Sequence, residues 1–242
     1  MVPALIEEVS HFQVDKIYNG WRWVCSQFVK AKQNQIQFGS PDPKKKDEFE
    51  VDETDVRKQD IGNDEVQWQE YTGLKRRGDR KSLFIDKRSA SKSVSSRAEN
   101  GRACPPPQTK KEWHAIRDKK VGAGKRVNQN TLGHADAAPA YKEQGPGQAG
   151  DAVSHSRSKG KKPEYAKQID HVNEDGTVYP SVGGTQSLDG WWSHGKRACR
   201  GVNARYPLKV EDHFREEQWR HWVGGGDRWI EAGKVLAWVP EC

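Results

Sequence analysis

A long segment that is rich in cations and poor in apolar side chains, residues 71–167, constrains the fold more than any other feature of the sequence. It holds 23 Lys and Arg against 9 Asp and Glu, a net charge of +14. Only 14 of its 97 residues are Val, Ile, Leu, Phe, Tyr or Trp. Ordering the backbone costs roughly 1–2 kcal/mol per residue, and burying so few apolar side chains offsets little of that cost. The composition therefore predicts a segment that is largely irregular alone and is ordered by a partner.

The positive charge is confined to this segment. Residues 1–70 hold 9 cationic against 14 acidic side chains, a net of −5, and residues 168–242 hold 9 against 11, a net of −2, so that +14, −5 and −2 sum to the +7 of the chain. We therefore divide the chain into a β-barrel-like module (1–70), an extended basic segment (71–167) and a Trp-rich α+β module (168–242). The predicted fold class is mainly β with some α, with two small β-rich modules flanking the basic segment.

Periodicity in the first module predicts a short helix followed by three strands. Leu5, Ile6, Val9 and Phe12 recur at helical spacing. A turn at residues 18–21 should then lead into strands near residues 21–29, 36–38 and 49–51. The loop before the third strand should hold Pro41-Asp42-Pro43 and Lys44-Lys45-Lys46.

Residues 18–57, from Gly20-Trp21 through Gln35-Ile36-Gln37-Phe38 to Asp55-Val56-Arg57, resemble the Tudor and chromo-barrel group. The resemblance implies a small barrel in which Trp21, Trp23 and Phe38 line an aromatic cage for a methylated cation, held by the ring quadrupoles. The alternative is that these rings are the core of a small sheet.

The basic segment opens with a cluster of cations that is typical of an arm on a phosphate backbone. Contacts of this kind position a protein on nucleic acid without reading bases. The alternative is a solvated linker whose charge keeps the chain soluble. The predicted phosphate contacts are Lys75, Arg76, Arg77, Arg80, Lys81, Lys87 and Arg88. Farther along, Thr109–Lys120 predicts a short helix with Trp113 and Ile116 on one side.

Two stretches resemble metal-dependent enzymes. The first stretch is Thr131-Leu132-Gly133-His134-Ala135-Asp136-Ala137-Ala138-Pro139, followed by Lys142 and Gly145-Pro146-Gly147. It resembles the closing signature of zinc-dependent N-acetylmuramoyl-L-alanine amidases. Asn173–Tyr179 resembles a hairpin of the same family, and the whole resemblance covers residues 131–211. It implies His134 and His155 as zinc ligands that activate a water against an amide. The signature precedes the hairpin here, the reverse of the family's order.

The second stretch begins with Ile169-Asp170-His171-Val172 and continues with Gly183-Gly184, Leu188-Asp189, Cys199 and Asn203. This pattern is similar to the ββα-metal fold of HNH nucleases. That resemblance implies His171 as a general base acting on a metal-polarised phosphodiester. Gly190 replaces the Asn expected after Asp189. The alternative for His171 is a surface histidine in a turn.

The last 55 residues contain six of the ten tryptophans. Most are expected to form a core, because each buries a large area. Trp191 and Trp192, near Lys196 and Arg197, are predicted to be exposed and to stack on unpaired bases. Residues from His213 onward fit a helix with Trp219 and Trp222, Gly224-Gly225-Gly226 should end it, and Val235, Ala237 and Val239 predict a final strand.

Cysteine spacing and hydropathy bound the class of protein. Cys25, Cys104, Cys199 and Cys242 are too far apart for a CxxC motif, and they favour an intracellular, reducing compartment such as the cytoplasm, the nucleus or an organelle matrix. No apolar run approaches the roughly 20 residues that span a bilayer, and the acidic N-terminus lacks the pattern of a secretory signal. We expect no membrane partner.

The charge distribution predicts a non-catalytic protein that binds nucleic acid or assembles into a ribonucleoprotein. We expect the nucleic acid to be RNA. Its partners would be nucleic acid and other subunits of a larger assembly, and it would need no cofactor. The alternatives are the zinc amidase, which would act on peptidoglycan, and the HNH nuclease.

Overall fold

The computed structural model describes residues 10–63, 65–94, 104–136, 138–154, 162–172 and 176–238. Within these ranges, α-helices span His11–Gln33 (α1), Lys110–Arg117 (α2), Gln186–Ala198 (α3), Pro207–Val223 (α4) and Arg228–Ala237 (α5). Strands span Asp47–Gly62 (β1), Glu65–Arg76 (β2), Phe84–Lys87 (β3), Ser91–Val94 (β4), Lys120–Val121 (β5), Gly124–Lys125 (β6), Thr131–Asp136 (β7), Gln148–Val153 (β8), Lys167–Val172 (β9) and Val178–Gly183 (β10). Helices and strands contribute comparably, so the fold is mixed α/β where a mainly β fold was predicted.

A six-stranded sheet organises these elements, in the order β3-β2-β1-β7-β8 with β4 also paired to β2. β1 and β2 form a long antiparallel hairpin, whereas β7 lies parallel to β1 and β8 lies parallel to β7. β2, β3, β4, β7 and β8 all lie wholly or partly in the segment 71–167, which was predicted to be largely irregular. That prediction is wrong for the described residues, and the central sheet joins strands from both sides of residue 70.

The few apolar side chains of the basic segment are almost all used in the core. Twelve of the fourteen are buried, and nine of these twelve belong to the two cores on opposite faces of the sheet. On one face, Leu74 and Phe84 pack with Trp113 of α2. On the other, Tyr71 and Ile85 pack against α3 and α4. The composition of this segment alone did not predict its ordered structure, because its apolar residues share their cores with apolar residues from the rest of the chain.

Strand β1 shows how the two faces differ. Phe49 and Val51 point into the core that contains α2. The alternate residues Glu48, Glu50 and Asp52 bond to groups on the opposite face. Since side chains of a strand alternate between faces, this period of two places a row of carboxylates beneath α3 and the β9–β10 hairpin.

Helix α1 replaces the strand predicted at residues 21–29, and the turn predicted at residues 18–21 is helical as well. A capping box between Ser10 and Gln13 starts the helix. Trp21 and Val29 pack with Trp219 of α4, and the Trp21 and Trp219 rings meet edge to face at 5.2 Å. Apolar residues here fit both periods, and packing against α4 selects the helical one. Leu5, Ile6 and Val9 lie outside the described residues.

The helical position of the first tryptophans removes the predicted barrel over residues 18–57. Trp23 is exposed on α1, Trp21 packs on α4, and Phe38 is fully buried against Phe49. The three rings therefore do not line one cage. The predicted strand near residues 36–38 is reduced to a single bridge between Phe38 and Val127, whereas the strand predicted at residues 49–51 and the loop at residues 41–46 are confirmed.

Helix α2 agrees with the sequence. A capping box joins Thr109 and Glu112, and Trp113 and Ile116 are buried on one side. The helix occupies part of the range predicted for it.

The C-terminal helices correct two predictions. Trp191 and Trp192 are buried on α3, where a turn and exposed rings were predicted. Gly195 lies within the same helix, and a Cβ there would approach the Phe214 ring to 2.4 Å, so glycine permits the close packing of α3 on α4. The predicted final strand is helix α5, and Val239 lies outside the described residues; the helix containing Trp219 and its end at Gly224 are confirmed.

Of the helices in the described ranges, none combines the length and apolar character that a membrane span requires.

Candidate functional site: a cationic cleft

A cleft of about 600 Å³ opens between the end of β2, helix α3 and the junction of α4 with α5. Its size lies within the range of small-molecule and cofactor sites, roughly 300–1,000 Å³. The cationic side chains in its lining are Lys75, Arg80, Arg220 and Arg228, and His194 and His221 also line it. Glu217 is the carboxylate among the lining residues. Four cationic side chains against one carboxylate give the lining of this cleft an excess of positive charge.

Lys75 lies at the inner wall of the cleft. It is 6% exposed, and a hydrogen bond joins its Nζ atom to the Oγ atom of Ser187 in the first turn of α3. Burial lowers the pKa of Lys75, although the Glu50 carboxylate opposes that shift, and Arg80 lowers the pKa further. A buried lysine of this kind carries its proton less firmly than a surface lysine does.

Two exposed arginines from distant parts of the chain lie at the mouth of the cleft. Arg80 belongs to a short 3₁₀ turn after β2, and Arg228 begins α5. Both are exposed, and neither forms an ion pair with another residue of the described ranges. Arg220 is partly neutralised by Glu216, with Nη2 to Oε1 at 2.7 Å. The guanidinium groups of Arg80 and Arg228 are therefore available for a ligand, and their planar fork suits phosphate oxygens.

His221 contributes a neutral ring to the same cleft. Burial lowers its pKa to about 4, and the positive charges of Lys75 and Arg80 act in the same direction. Its Nε2 atom is buried and has no hydrogen-bond partner in the described part of the chain. At neutral pH the cationic character of the cleft therefore comes from its lysine and arginines.

The structure places the eleven predicted nucleic-acid contacts in three different environments. Lys75, Arg80 and Trp191 line the cleft, although Trp191 is only 3% exposed. Lys81 and Arg197 are exposed elsewhere. The fold itself engages the others through Arg76 with Asp47 at 2.8 Å, Arg77 with Glu50 at 3.1 Å, Lys87 with Glu211 at 3.1 Å, Arg88 with Glu70 at 2.6 Å, Lys196 with Asp55 at 3.6 Å, and Trp192 with Asp52 at 2.8 Å.

The Trp191 and Trp192 rings form part of the core beneath the cleft. Both pack against Phe214, and Trp192 stacks on it with an interplanar angle of 3°. The indole N–H of Trp192 donates to Asp52. The prediction that Trp191 and Trp192 are exposed is therefore wrong, and side chains buried this deeply are not positioned to stack on bases.

A second polar cluster joins the histidines of the two enzyme resemblances. Asp151 on β8 accepts from His134 Nδ1 at 3.0 Å and contacts His171 Nε2 at 3.3 Å. The other ring nitrogen of His134 contacts Glu48 at 3.1 Å, and the Tyr179 hydroxyl donates to Glu48 at 2.8 Å. These bonds attach the β9–β10 hairpin to the central sheet.

The contacts of this cluster do not fit a metal centre. Both nitrogens of His134 are taken by carboxylates and the side chain is fully buried. His155, the second predicted zinc ligand, lies outside the described residues. Within the described ranges, no group of three or more His, Cys, Asp or Glu side chains could hold a metal ion. The order β9, β10 and α3 matches the ββα order of the HNH resemblance, but His171 is bonded to Asp151. The two enzyme resemblances stay predictions.

The sequence reasoning missed several residues of the cleft. Arg220, His221 and Arg228 come from a stretch that was considered only for its tryptophans and glycines, and Ser187 precedes Leu188-Asp189, which was considered only for the HNH resemblance and for Trp191 and Trp192. The sequence pattern that could have indicated these residues is weak. Basic residues lie on both sides of Gly224-Gly225-Gly226, at the end of one helix and the start of the next. Nothing in the linear order connects these residues to Lys75, which lies more than a hundred positions earlier.

No family model, curated protein or solved structure matches this chain.

Proposed function

We propose that the protein binds nucleic acid through its phosphate backbone, and that the cationic cleft is the centre of the binding surface. The observation that carries this proposal is the convergence of Lys75, Arg80, Arg220 and Arg228 from separate parts of the chain on one opening. Pairing inside the fold neutralises many other cations of the chain. Unpaired arginines collected at one cleft therefore support a ligand that carries negative charge.

Phosphate chemistry explains the choice of cations. Arginine presents several N–H donors in one plane, which match the oxygens of a phosphate. Arg80 and Arg228 lie at the mouth, where they can contact successive phosphates of an extended strand, whereas Lys75 lies deeper. The side chains lining the cleft include no exposed Trp, Tyr or Phe ring. Binding should therefore depend on charge and should discriminate weakly between base sequences and between RNA and DNA.

The proposal is tested with fluorescence anisotropy of a labelled single-stranded RNA, titrated with the full chain at several salt concentrations. Affinity should fall steeply with salt, because each neutralised phosphate releases condensed counterions. The double variant Arg80→Ala/Arg228→Ala should bind more weakly and should lower the salt slope by about 2, close to 1 for each lost phosphate contact.

Lys120→Ala provides the matched control. Lys120 is an exposed cation on β5 and does not line the cleft, so its loss removes one positive charge and should leave the salt slope nearly unchanged. Affinity that does not respond to salt would overturn the proposal. Equal losses per removed charge for the control and for the arginine variants would show that binding uses net charge alone and would remove the cleft from it.

A further inference from the structure

One hydroxyl group in the cleft is paired with a buried amine. Ser187 lies in the first turn of α3 and lines the cleft, and its Oγ atom is hydrogen-bonded to Lys75 Nζ. A serine hydroxyl is a weak nucleophile unless an adjacent base removes its proton. A neutral lysine amine can act as that base, and burial together with the charge of Arg80 lowers the pKa of Lys75.

We propose that Ser187 is a nucleophile that attacks a phosphate ester bound in the cleft, with Lys75 as its general base. The inference rests on the proposed function, since the ligand that binds supplies the reacting phosphate. In the step, Ser187 Oγ forms a bond to phosphorus and the bond from phosphorus to the leaving oxygen breaks. The hydroxyl proton moves to the Lys75 amine, and the leaving oxygen takes a proton from solvent. Water then hydrolyses the phosphoserine ester and restores the hydroxyl.

The charges around Ser187 favour phosphorus over a neutral acyl carbon as the centre of attack. Negative charge spreads over the phosphoryl oxygens in the transition state, and positioned cations stabilise it. Arg80, Arg220 and Arg228 line the same cleft as the hydroxyl. The carboxylates of Glu50 and Asp79 raise the pKa of Lys75, whereas the neighbouring cation Arg80 lowers it.

The test uses bis(p-nitrophenyl) phosphate, a diester whose leaving group is coloured, with the full chain. We expect release of p-nitrophenolate in a burst that does not exceed one equivalent of protein. Mass spectrometry of the digested protein should then find the aryl phosphate on the peptide that contains Ser187. The rate should rise with pH as Lys75 loses its proton, and Lys75→Met should lower the rate by roughly 100-fold or more and remove that rise.

Ser187→Ala should abolish both the burst and the adduct. Ser193→Ala is the matched control, because Ser193 is an exposed serine on the same helix, and this variant should react as the unaltered protein does. Circular dichroism checks that each variant is folded, and the adduct on the unaltered protein tests the inference even if Ser187→Ala does not fold.

The outcomes separate this inference from the proposed function. If the unaltered protein binds RNA with the expected salt dependence but forms no adduct between about pH 6 and pH 10, the nucleophile is excluded and the binding function stands. An adduct on a residue other than Ser187 also overturns the inference. An adduct on Ser187 without RNA binding would keep the nucleophile and reject nucleic acid as its substrate.

Discussion

Replacement of Arg88 by Met separates two explanations of the basic segment, a surface for phosphates and an internal partner for carboxylates. The Arg88 side chain is 5% exposed and its Nη1 atom lies 2.6 Å from Glu70, whose side chain is 3% exposed. Arg88 Nη2 also contacts Glu112 at 3.2 Å and the carbonyl of Pro107 at 3.2 Å. Removing one member of a buried ion pair costs about 3–5 kcal/mol, because the other charge stays in a medium that solvates it poorly.

The predicted effect of Arg88→Met is therefore on stability. The free energy of unfolding should fall by about 3–5 kcal/mol, which corresponds to a decrease in Tm of roughly 6–20 °C for a chain of this size. Urea denaturation followed by circular dichroism measures the first quantity, and a thermal melt measures the second. Under conditions where the variant is folded, its affinity for single-stranded RNA should match that of the unaltered protein.

Two further variants sharpen this prediction. Glu70→Leu/Arg88→Met removes both charges and should recover much of the lost stability, since no uncompensated charge is then left in the pair. Arg80→Met, at the exposed mouth of the cleft, should show the opposite pattern, with unfolding energy within about 0.5 kcal/mol of the unaltered protein and weaker RNA binding. An Arg88→Met variant that keeps its stability and loses RNA affinity would refute the assignment of Arg88 to the core.

Three other predictions concern the sheet and α2, and chemical denaturation checks each of them. Burial raises the pKa of Asp52 to about 8, with Asp189 adding to the shift. The folded protein therefore keeps a proton that the unfolded chain loses above about pH 4, so the free energy of unfolding should fall as pH rises from about 4 to 8. Asp52→Asn should flatten this dependence, and at pH 8 its free energy of unfolding should exceed that of the unaltered protein by at least about 1.4 kcal/mol. A Cβ at Gly73 would approach the Trp192 ring to 2.7 Å, so Gly73→Ala should cost about 1–3 kcal/mol, and an effect near zero would show that the ring can move away. Thr109→Ala removes the hydroxyl that accepts from the backbone N–H at the third position of α2 and should cost about 1 kcal/mol, whereas Thr109→Ser, which keeps the hydroxyl, should cost much less.

Local signals in the sequence were sufficient for some elements. The helix with Trp113 and Ile116 on one side follows from a capping box and an amphipathic spacing, both of which act within a few residues. The strand at Phe49 and Val51 follows from alternation. The end of α4 at Gly224 follows from the run of three glycines. Such signals depend on the backbone of neighbouring residues, so they hold before any tertiary contact forms.

Helix α1 shows where local signals fail. Trp21, Trp23 and Cys25 alternate as in a strand, and Trp21, Cys25 and Phe28 also recur as on a helix. Periodicity cannot choose between the two readings over so few turns. The contact between Trp21 and Trp219 and the ion pair between Arg22 and Glu216 at 3.0 Å favour the helix. Both partners lie almost two hundred residues away, and no local pattern reports them.

The sequence by itself determined that the middle of the chain is basic, that its flanks are acidic, and that apolar side chains are scarce between them. Tertiary structure alone decided what that charge does. Arg76, Arg77, Lys87 and Arg88 meet carboxylates of the fold, whereas Arg80 stays at an open cleft beside Arg228. The physical reason is that electrostatic attraction acts over distances in space, and a composition count cannot tell a cation that faces solvent from one that faces a buried carboxylate.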